Sequence, residues 1–132
     1  MKHVDLFDLA EELGTEVFYG DIPQCKSISV PDNICLDFSL LCGGKEEHTR
    51  LAHELGHCAT GAFYNRYSSC DMIERQEWKA DKWAVHNIIP LEDIKTAVSR
   101  GVDSLWELAD YFDVTEEYVL KALEVYNAEG EL

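Results

Sequence analysis

The stretch from Leu51 to Ala62 constrains the fold more than any other part of the chain. At helical spacing its apolar residues fall on one face, and His53 and His57 fall on the opposite face. Such a helix needs a hydrophobic layer behind it and accessible space in front of it. Gly56 lies next to the histidine face and costs about 1 kcal/mol of helix propensity relative to alanine, which indicates the close approach of another backbone or of a substrate. The apolar face consists of Leu51, Leu55, Cys58 and Ala62.

The residues before this helix predict one further helix and a small sheet. Apolar residues recur at helical spacing over residues 3–13, and Gly14 is a suitable stop. Three β-rich segments follow, at 15–19, 27–30 and 34–38, and turn-forming residues separate them. We expect these segments to pair as a three-stranded antiparallel sheet.

The residues after the histidine helix predict four more helices. Asp71, Asp103 and Thr115 are the expected N-terminal caps of the first, third and fourth of them. The fold class is therefore α+β and mainly helical. We expect residues 1–100 to form one domain and residues 101–132 to form an acidic helical hairpin packed on it. The predicted helices cover about 71–87, 90–100, 104–111 and 116–127.

The segment from His53 to His57 has the H-E-x-x-H pattern of a metal-dependent hydrolase. Histidines four residues apart lie about 40° apart around a helix, so both rings can reach one ion. Glu54 is turned about 100° from His53, so it can contact a metal-bound water without ligating the metal. The pattern therefore predicts His53 and His57 as zinc ligands and Glu54 as the catalytic base.

A third protein ligand is expected from the helix predicted over residues 71–87. Glu77 lies amid the inward-facing apolar residues of that helix, while His86 points the opposite way and is expected at the surface. Glu74 remains an alternative ligand. Asp81 lies one turn beyond Glu77 on the same face, where it can accept the second N–H of a ligating histidine and orient its ring.

These residues resemble the ImmA/IrrE family of metallo-endopeptidases over about residues 15–90. In that family an H-E-L-G-H helix is followed by an E-x-x-A-[DN]-x-F-A helix and a proline, which correspond here to 53–57, 77–84 and Pro90. Trp83 stands where the family usually has phenylalanine. The resemblance implies a zincin-like, gluzincin-type core and one Zn²⁺ per chain. It also implies ligation by His53, His57 and Glu77, with Glu54 as the base.

The resemblance further implies a substrate among the transcriptional repressors of phages, mobile elements or stress responses. Zinc hydrolysis also needs a group that stabilises the oxyanion. Tyr64, Tyr67 and His48 are near the motif in the sequence, and none of them can be assigned this role.

Residues 105–123 resemble a helix-turn-helix through the turn signature L-A-x-x-F-x-V-[ST], which would give a DNA-binding regulator. However, residues 101–132 carry nine acidic side chains and one lysine, and the whole chain has a net charge of −15. Because DNA would be repelled, we expect a protein-packing hairpin and no nucleic-acid partner.

The remaining features favour a cytoplasmic protein with free thiols. No apolar run reaches the roughly eighteen residues that a membrane span needs, and the N-terminus is unlike a signal peptide. The five cysteines lack C-x-x-C spacing, and Cys58, which follows a predicted ligand, is expected to be a buried structural thiol. We expect an intracellular zinc endopeptidase that cleaves a repressor. The alternative is a catalytically silent, zinc-containing module that binds the same kind of regulator.

Overall fold

The computed structural model describes residues 5–41 and 43–132, and it confirms the predicted α+β, mainly helical fold class. Positions 3 and 4 of the predicted first helix lie outside these residues. One 3-10 turn, Phe38–Leu40, follows the last strand. The elements in chain order are α1 (Leu6–Glu12), β1 (Glu16–Gly20), β2 (Ser27–Val30), β3 (Asn33–Asp37), α2 (Lys45–Thr60), α3 (Cys70–Ile88), α4 (Leu91–Ser99), α5 (Leu105–Phe112) and α6 (Glu116–Ala128).

The helix bounds follow the sequence pattern, but two caps differ from prediction. Thr115 caps α6 as expected. Helix α3 is capped by Ser69 and not by Asp71, and α5 is capped by Ser104 and not by Asp103. In both cases the serine hydroxyl accepts a hydrogen bond from the backbone N–H three residues on, which satisfies a donor that the first helical turn leaves unpaired.

The sheet is mixed, so the predicted all-antiparallel pairing is wrong. Its strand order is β1-β3-β2, with β1 parallel and β2 antiparallel to β3. The segment after Gly20 does not turn back as a hairpin, because Asp37 at the end of β3 accepts a hydrogen bond from the Ile22 backbone N–H at 2.9 Å. The chain therefore crosses the end of β3, and Ser27 pairs with Leu36 on the other side. This crossing makes β2 an edge strand.

The predicted apolar face of α2 packs on the sheet and on α3. Ile34 and Leu36 of β3 are fully buried, as are Leu55 of α2 and Val85 of α3. These side chains form one hydrophobic core that also includes residues of α5 and α6. The core holds the opposite face of α2, with its two histidines, toward the surface.

The C-terminal hairpin of α5 and α6 packs on the N-terminal half of α2. Nδ1 of His48 donates to the Asp113 carbonyl at 2.8 Å, and the Thr115 N–H donates to the Thr49 hydroxyl at 3.1 Å. These contacts hold the beginning of α6 beside the histidine helix. The predicted boundary between residues 1–100 and the hairpin 101–132 stays a prediction. Residues on both sides of it belong to the same hydrophobic core. Within the described residues, we find no helix whose length and hydropathy would let it cross a membrane.

Candidate metal centre

Helices α2 and α3 bring three of the predicted site residues together. Nε2 of His53 lies 3.2 Å from Nε2 of His57 and 2.8 Å from Oε2 of Glu77. Nε2 of His57 lies 3.4 Å from Oε1 of the same carboxylate. One ligand atom from each residue fits within 4.8 Å, so this group could hold a metal ion.

The other ring nitrogens explain why both Nε2 atoms point toward Glu77. Nδ1 of His53 lies 2.8 Å from Oδ1 of Asp81, and Nδ1 of His57 lies 2.5 Å from the Ala62 carbonyl oxygen. Both partners accept hydrogen bonds, so each ring donates from Nδ1 and turns Nε2 toward Glu77, where it can bind a metal once any proton on it is displaced. Ala62 reaches His57 because Gly61 ends α2 in the left-handed conformation, with φ of 67°, and turns the chain back.

Gly56 allows the two helices to approach closely enough to form this group. A Cβ atom at position 56 would lie 2.3 Å from the carbonyl oxygen of Ala80 on α3. The close backbone approach predicted from the glycine is therefore present. Since Ala80 precedes Asp81 and follows Glu77 by three residues, this contact sets the distance between the histidine pair and both carboxylates.

In the absence of metal, protons balance the charges of the group. Burial disfavours the charged form of His53, but hydrogen bonds with Asp81 and Glu77 outweigh it and raise its pKa to about 10. Hydrogen bonds with His53 and His57 hold the pKa of Glu77 well below its usual range. The carboxylates therefore attract positive charge to the space between the ligands, and a metal cation can replace those protons.

Glu54 is buried beside the group formed by His53, His57 and Glu77, called here the metal-ligating group because it could hold a metal ion, and does not belong to it. Its two carboxylate oxygens accept hydrogen bonds from the hydroxyls of Ser27, at 2.7 Å, and Ser29, at 2.6 Å. Both serines lie on the edge strand β2. Neither serine is among the site residues predicted from the sequence, although their alternation in Ser-x-Ser places both side chains on one face of a strand.

Of the three residues considered for stabilising the oxyanion, Tyr64, Tyr67 and His48, Tyr64 lies at the site. Its hydroxyl donates to Oε1 of Glu77 at 2.5 Å, and this hydrogen bond, together with burial, raises its pKa to about 12. Its ring lies 6.2 Å from that of His57. Tyr67 is 81% exposed and His48 bonds the C-terminal hairpin, so neither contacts the group.

A cleft of about 440 Å³ connects these residues. Along one side runs β2, and on the other side lie the histidines of α2, Glu77 and Tyr64. Glu54 lies at the boundary between the strand and the metal-ligating group. The cleft therefore presents the Glu54 carboxylate, a group that could hold a metal ion and an edge strand to the same space.

The other sequence candidates lie elsewhere. Glu74 is exposed and outside the metal-ligating group, and His86 is exposed and pairs with Glu129. The sulfur of Cys58 lies 3.6 Å from the Val30 carbonyl oxygen and also takes no part in the group. Cys25, Cys35, Cys58 and Cys70 are free thiols, and Cys42 lies outside the described residues.

A helix with two histidines four residues apart, completed by a glutamate of the next helix, is the ligand arrangement of the HExxH metallopeptidases. Residues 45–124 match the family model Peptidase_M78, described as the IrrE N-terminal-like domain. The chain therefore belongs to this metallopeptidase family, and the resemblance seen in the sequence is confirmed. Among curated proteins and among solved structures, none matches the chain.

Proposed function

We propose that this protein is a cytoplasmic, zinc-dependent endopeptidase that hydrolyses a peptide bond in a regulatory protein. The proposed substrate is a transcriptional repressor of a phage, a mobile element or a stress response. The observation that carries the proposal is the shared cleft, in which the group formed by His53, His57 and Glu77 faces both Glu54 and the edge strand β2.

The geometry of the donor atoms supports one Zn²⁺ per chain. Zinc–nitrogen bonds of 2.0–2.1 Å at a tetrahedral angle require ligand nitrogens about 3.3 Å apart. The Nε2 atoms of His53 and His57 are 3.2 Å apart. Two imidazoles and one carboxylate are also the ligands of many catalytic zinc sites, which keep a fourth position open.

The zinc ion, when bound, supplies Lewis-acid polarisation of the scissile carbonyl and activation of water. Glu54 takes the proton of the attacking water and passes it to the leaving amide nitrogen. The hydroxyls of Ser27 and Ser29 hold both carboxylate oxygens of Glu54, so the side chain is oriented before substrate arrives. Asp81 and the Ala62 carbonyl hold the two imidazole rings in place.

Tyr64 is the proposed oxyanion stabiliser. Its hydroxyl lies at the edge of the metal-ligating group, and a tyrosine hydroxyl is protonated at neutral pH and can donate a hydrogen bond. In the metal-free protein that proton is donated to Glu77. With zinc and substrate bound, the hydroxyl can turn to the substrate oxygen, since Glu77 then binds the metal.

The proposed substrate segment is extended and pairs with β2. Among the described residues, β2 pairs only with β3, so no strand covers its other edge, which runs along the cleft. An extended peptide can add to such an edge as another strand. The net charge of −15 favours a segment with basic residues and opposes nucleic-acid binding.

The test compares the zinc-loaded protein with its Glu54→Gln variant on candidate repressors, read by intact mass. We expect the wild type to cut a repressor into two fragments and Glu54→Gln to retain zinc while cutting at least about a hundredfold more slowly. Glu92→Gln, which removes one carboxylate from a side chain that is 85% exposed on α4, is the matched control and should cut normally. Full cleavage by Glu54→Gln would refute the proposal.

A catalytically silent, zinc-containing binding module is the second candidate function. The observation that favours it is that each carboxylate oxygen of Glu54 already accepts a hydrogen bond from a serine hydroxyl. A general base needs a carboxylate oxygen that can accept a proton from water. In that case zinc-loaded wild type and Glu54→Gln would bind the regulator with equal affinity and leave its mass unchanged.

A further inference from the structure

Lys121 is the only basic residue in the acidic segment 101–132, and it lies beside the predicted metal site. Its Nζ atom is 3.9 Å from Oδ2 of Asp81, whose other oxygen, Oδ1, holds Nδ1 of His53 at 2.8 Å. The chain of contacts therefore runs from α6 through α3 to a predicted ligand on α2. The same segment carries nine acidic side chains, which would repel Asp81. The residue of the segment that contacts this carboxylate is nevertheless its one lysine, Lys121.

The surroundings of Asp81 make this contact more consequential than a surface ion pair. Asp81 is 9% exposed, so its charge has lost most of its hydration and depends on nearby partners. The Lys121 side chain is one-third exposed, and its ammonium group lies 5.9 Å from the centre of the Trp78 ring. Glu124, 3.2 Å from the same ammonium, is the competing partner.

Tyr118, another residue of α6, lines the same cavity as Asp81. Tyr118 is 6% exposed, and its hydroxyl is a buried polar atom without a hydrogen-bond partner in the described part of the chain. A cavity of about 550 Å³ between α2, α3 and α6 is lined by Tyr118, Lys121, Asp81 and His53. If Lys121 released Asp81, the carboxylate would have this space to turn into.

We propose that Lys121 is a positioning residue of the metal centre, through which the C-terminal hairpin holds Asp81 and thereby His53. The proposal rests on the proposed function only in that the three ligands bind zinc. Its consequence is that docking of the hairpin controls how firmly the metal is held. A protein that binds α6 and draws Lys121 away would loosen the metal without touching the cleft.

The sign of the change in metal affinity distinguishes positioning from a simple charge effect. As a nearby positive charge alone, Lys121 would repel the metal, so its removal would raise zinc affinity. As a positioning residue, it keeps Asp81 on His53, so its removal lowers zinc affinity. Loss of a direct outer partner costs about 10–100-fold in metal affinity, so for Lys121, acting one residue further away, we expect a loss of roughly three- to tenfold.

The experiment measures zinc affinity by chelator competition, and the absorption spectrum of the cobalt-substituted protein, for Lys121→Met, Lys121→Gln and Lys121→Arg. We expect the two neutral variants to bind zinc more weakly and to change the cobalt spectrum, and Lys121→Arg to stay within about twofold of wild type because it keeps the cation. Lys95→Met, which removes an exposed lysine of α4, is the control and should change neither.

Thermal unfolding of the metal-free variants separates this role from a loss of packing. A purely structural Lys121 would lower the unfolding temperature without altering the cobalt spectrum of the folded protein. Unchanged or tighter zinc binding by Lys121→Met and Lys121→Gln would overturn the inference and leave the proposed function intact. Absence of zinc binding by the wild type would instead overturn the proposed function, and the inference with it.

Discussion

Replacing Gly56 with alanine tests whether the close helix crossing builds the metal centre. The added Cβ would lie 2.3 Å from the Ala80 carbonyl oxygen, whereas ordinary contact begins at 3.4 Å. The two helices must therefore separate by about 1 Å, because the obstructing atom belongs to backbone and no side-chain rotation can relieve it. Such a shift exceeds the roughly 0.2 Å tolerance of metal–ligand distances, so the histidine pair and Glu77 can no longer bind one ion well.

The stability change has an expected sign and size. Overpacking costs about 1–3 kcal/mol, and a clash with backbone belongs at the upper end. Alanine in place of glycine returns about 1 kcal/mol of helix propensity. The net loss is about 2 kcal/mol, which for a chain of this length lowers the unfolding temperature by roughly 6–8 °C.

Two measurements check this reasoning, namely thermal unfolding of the metal-free protein and zinc affinity by chelator competition. We expect Gly56→Ala to be destabilised and to bind zinc at least about tenfold more weakly. Ala80→Gly in the same chain should not rescue it, since the clash is with a carbonyl group. Ala59→Gly, a propensity control on the same helix, should lose about 1 kcal/mol and keep its zinc affinity. A Gly56→Ala protein with raised unfolding temperature and normal zinc affinity would refute the proposed role of the crossing.

Two further predictions concern Tyr64 and the protonation of His53. Tyr64→Phe should reduce kcat by about tenfold or more while zinc affinity changes little, because the hydroxyl is proposed to stabilise the oxyanion; an unchanged kcat would exclude this role. Since the pKa of His53 is about 10 in the metal-free protein, zinc must displace a proton at neutral pH. Zinc affinity should therefore rise by about tenfold per pH unit between pH 6 and 8 for each proton displaced. Calorimetric titration in two buffers of different ionisation enthalpy counts those protons, and a count of zero would contradict the raised pKa.

The helices could be predicted because their signals are local. The apolar spacing around Leu51 and Leu55, and the stop at Gly14, depend only on neighbouring residues. The caps of α3 and α5 differ from the prediction although their signals are equally local. In each case a serine and an aspartate stand close together, and both residue types are good caps, so spacing alone does not choose between them.

The strand segments could also be predicted, but their pairing could not. Three short β-rich segments in succession favour hairpins, since neighbouring strands usually pair. The pairing differs because the Ile22 N–H donates a hydrogen bond to Asp37, fifteen positions further along the chain. This contact directs the chain across the end of β3. The consequence is functional, because the crossing places β2, with Ser27 and Ser29, at the edge that faces Glu54.

In the candidate site, too, the residues placed by local helix geometry could be predicted, and the residues that contact them from distant parts of the chain could not. The histidine spacing, and the placement of Glu77 and Asp81 one turn apart on an inward face, follow from helix geometry and were predictable. The residues that hold this group from other elements were not, because each acts over a long separation in sequence. Ser27 meets Glu54 across 27 positions, and Lys121 meets Asp81 across forty.

Those distant contacts are also where this protein can differ from others that share its motifs. Two proteins with identical H-E-x-x-H and glutamate helices would hold the same ligands, and what varies is how firmly the base and the rings are held. Here Ser29 of the edge strand β2 holds Glu54, the proposed base, and Lys121 of the C-terminal hairpin contacts Asp81, the partner of His53. Under the two proposals, substrate pairing with β2 and partner binding to α6 would therefore reach the metal centre through different residues, Glu54 and Asp81. Variants of Ser29 should accordingly alter turnover without altering zinc affinity, while variants of Lys121 should alter zinc affinity first.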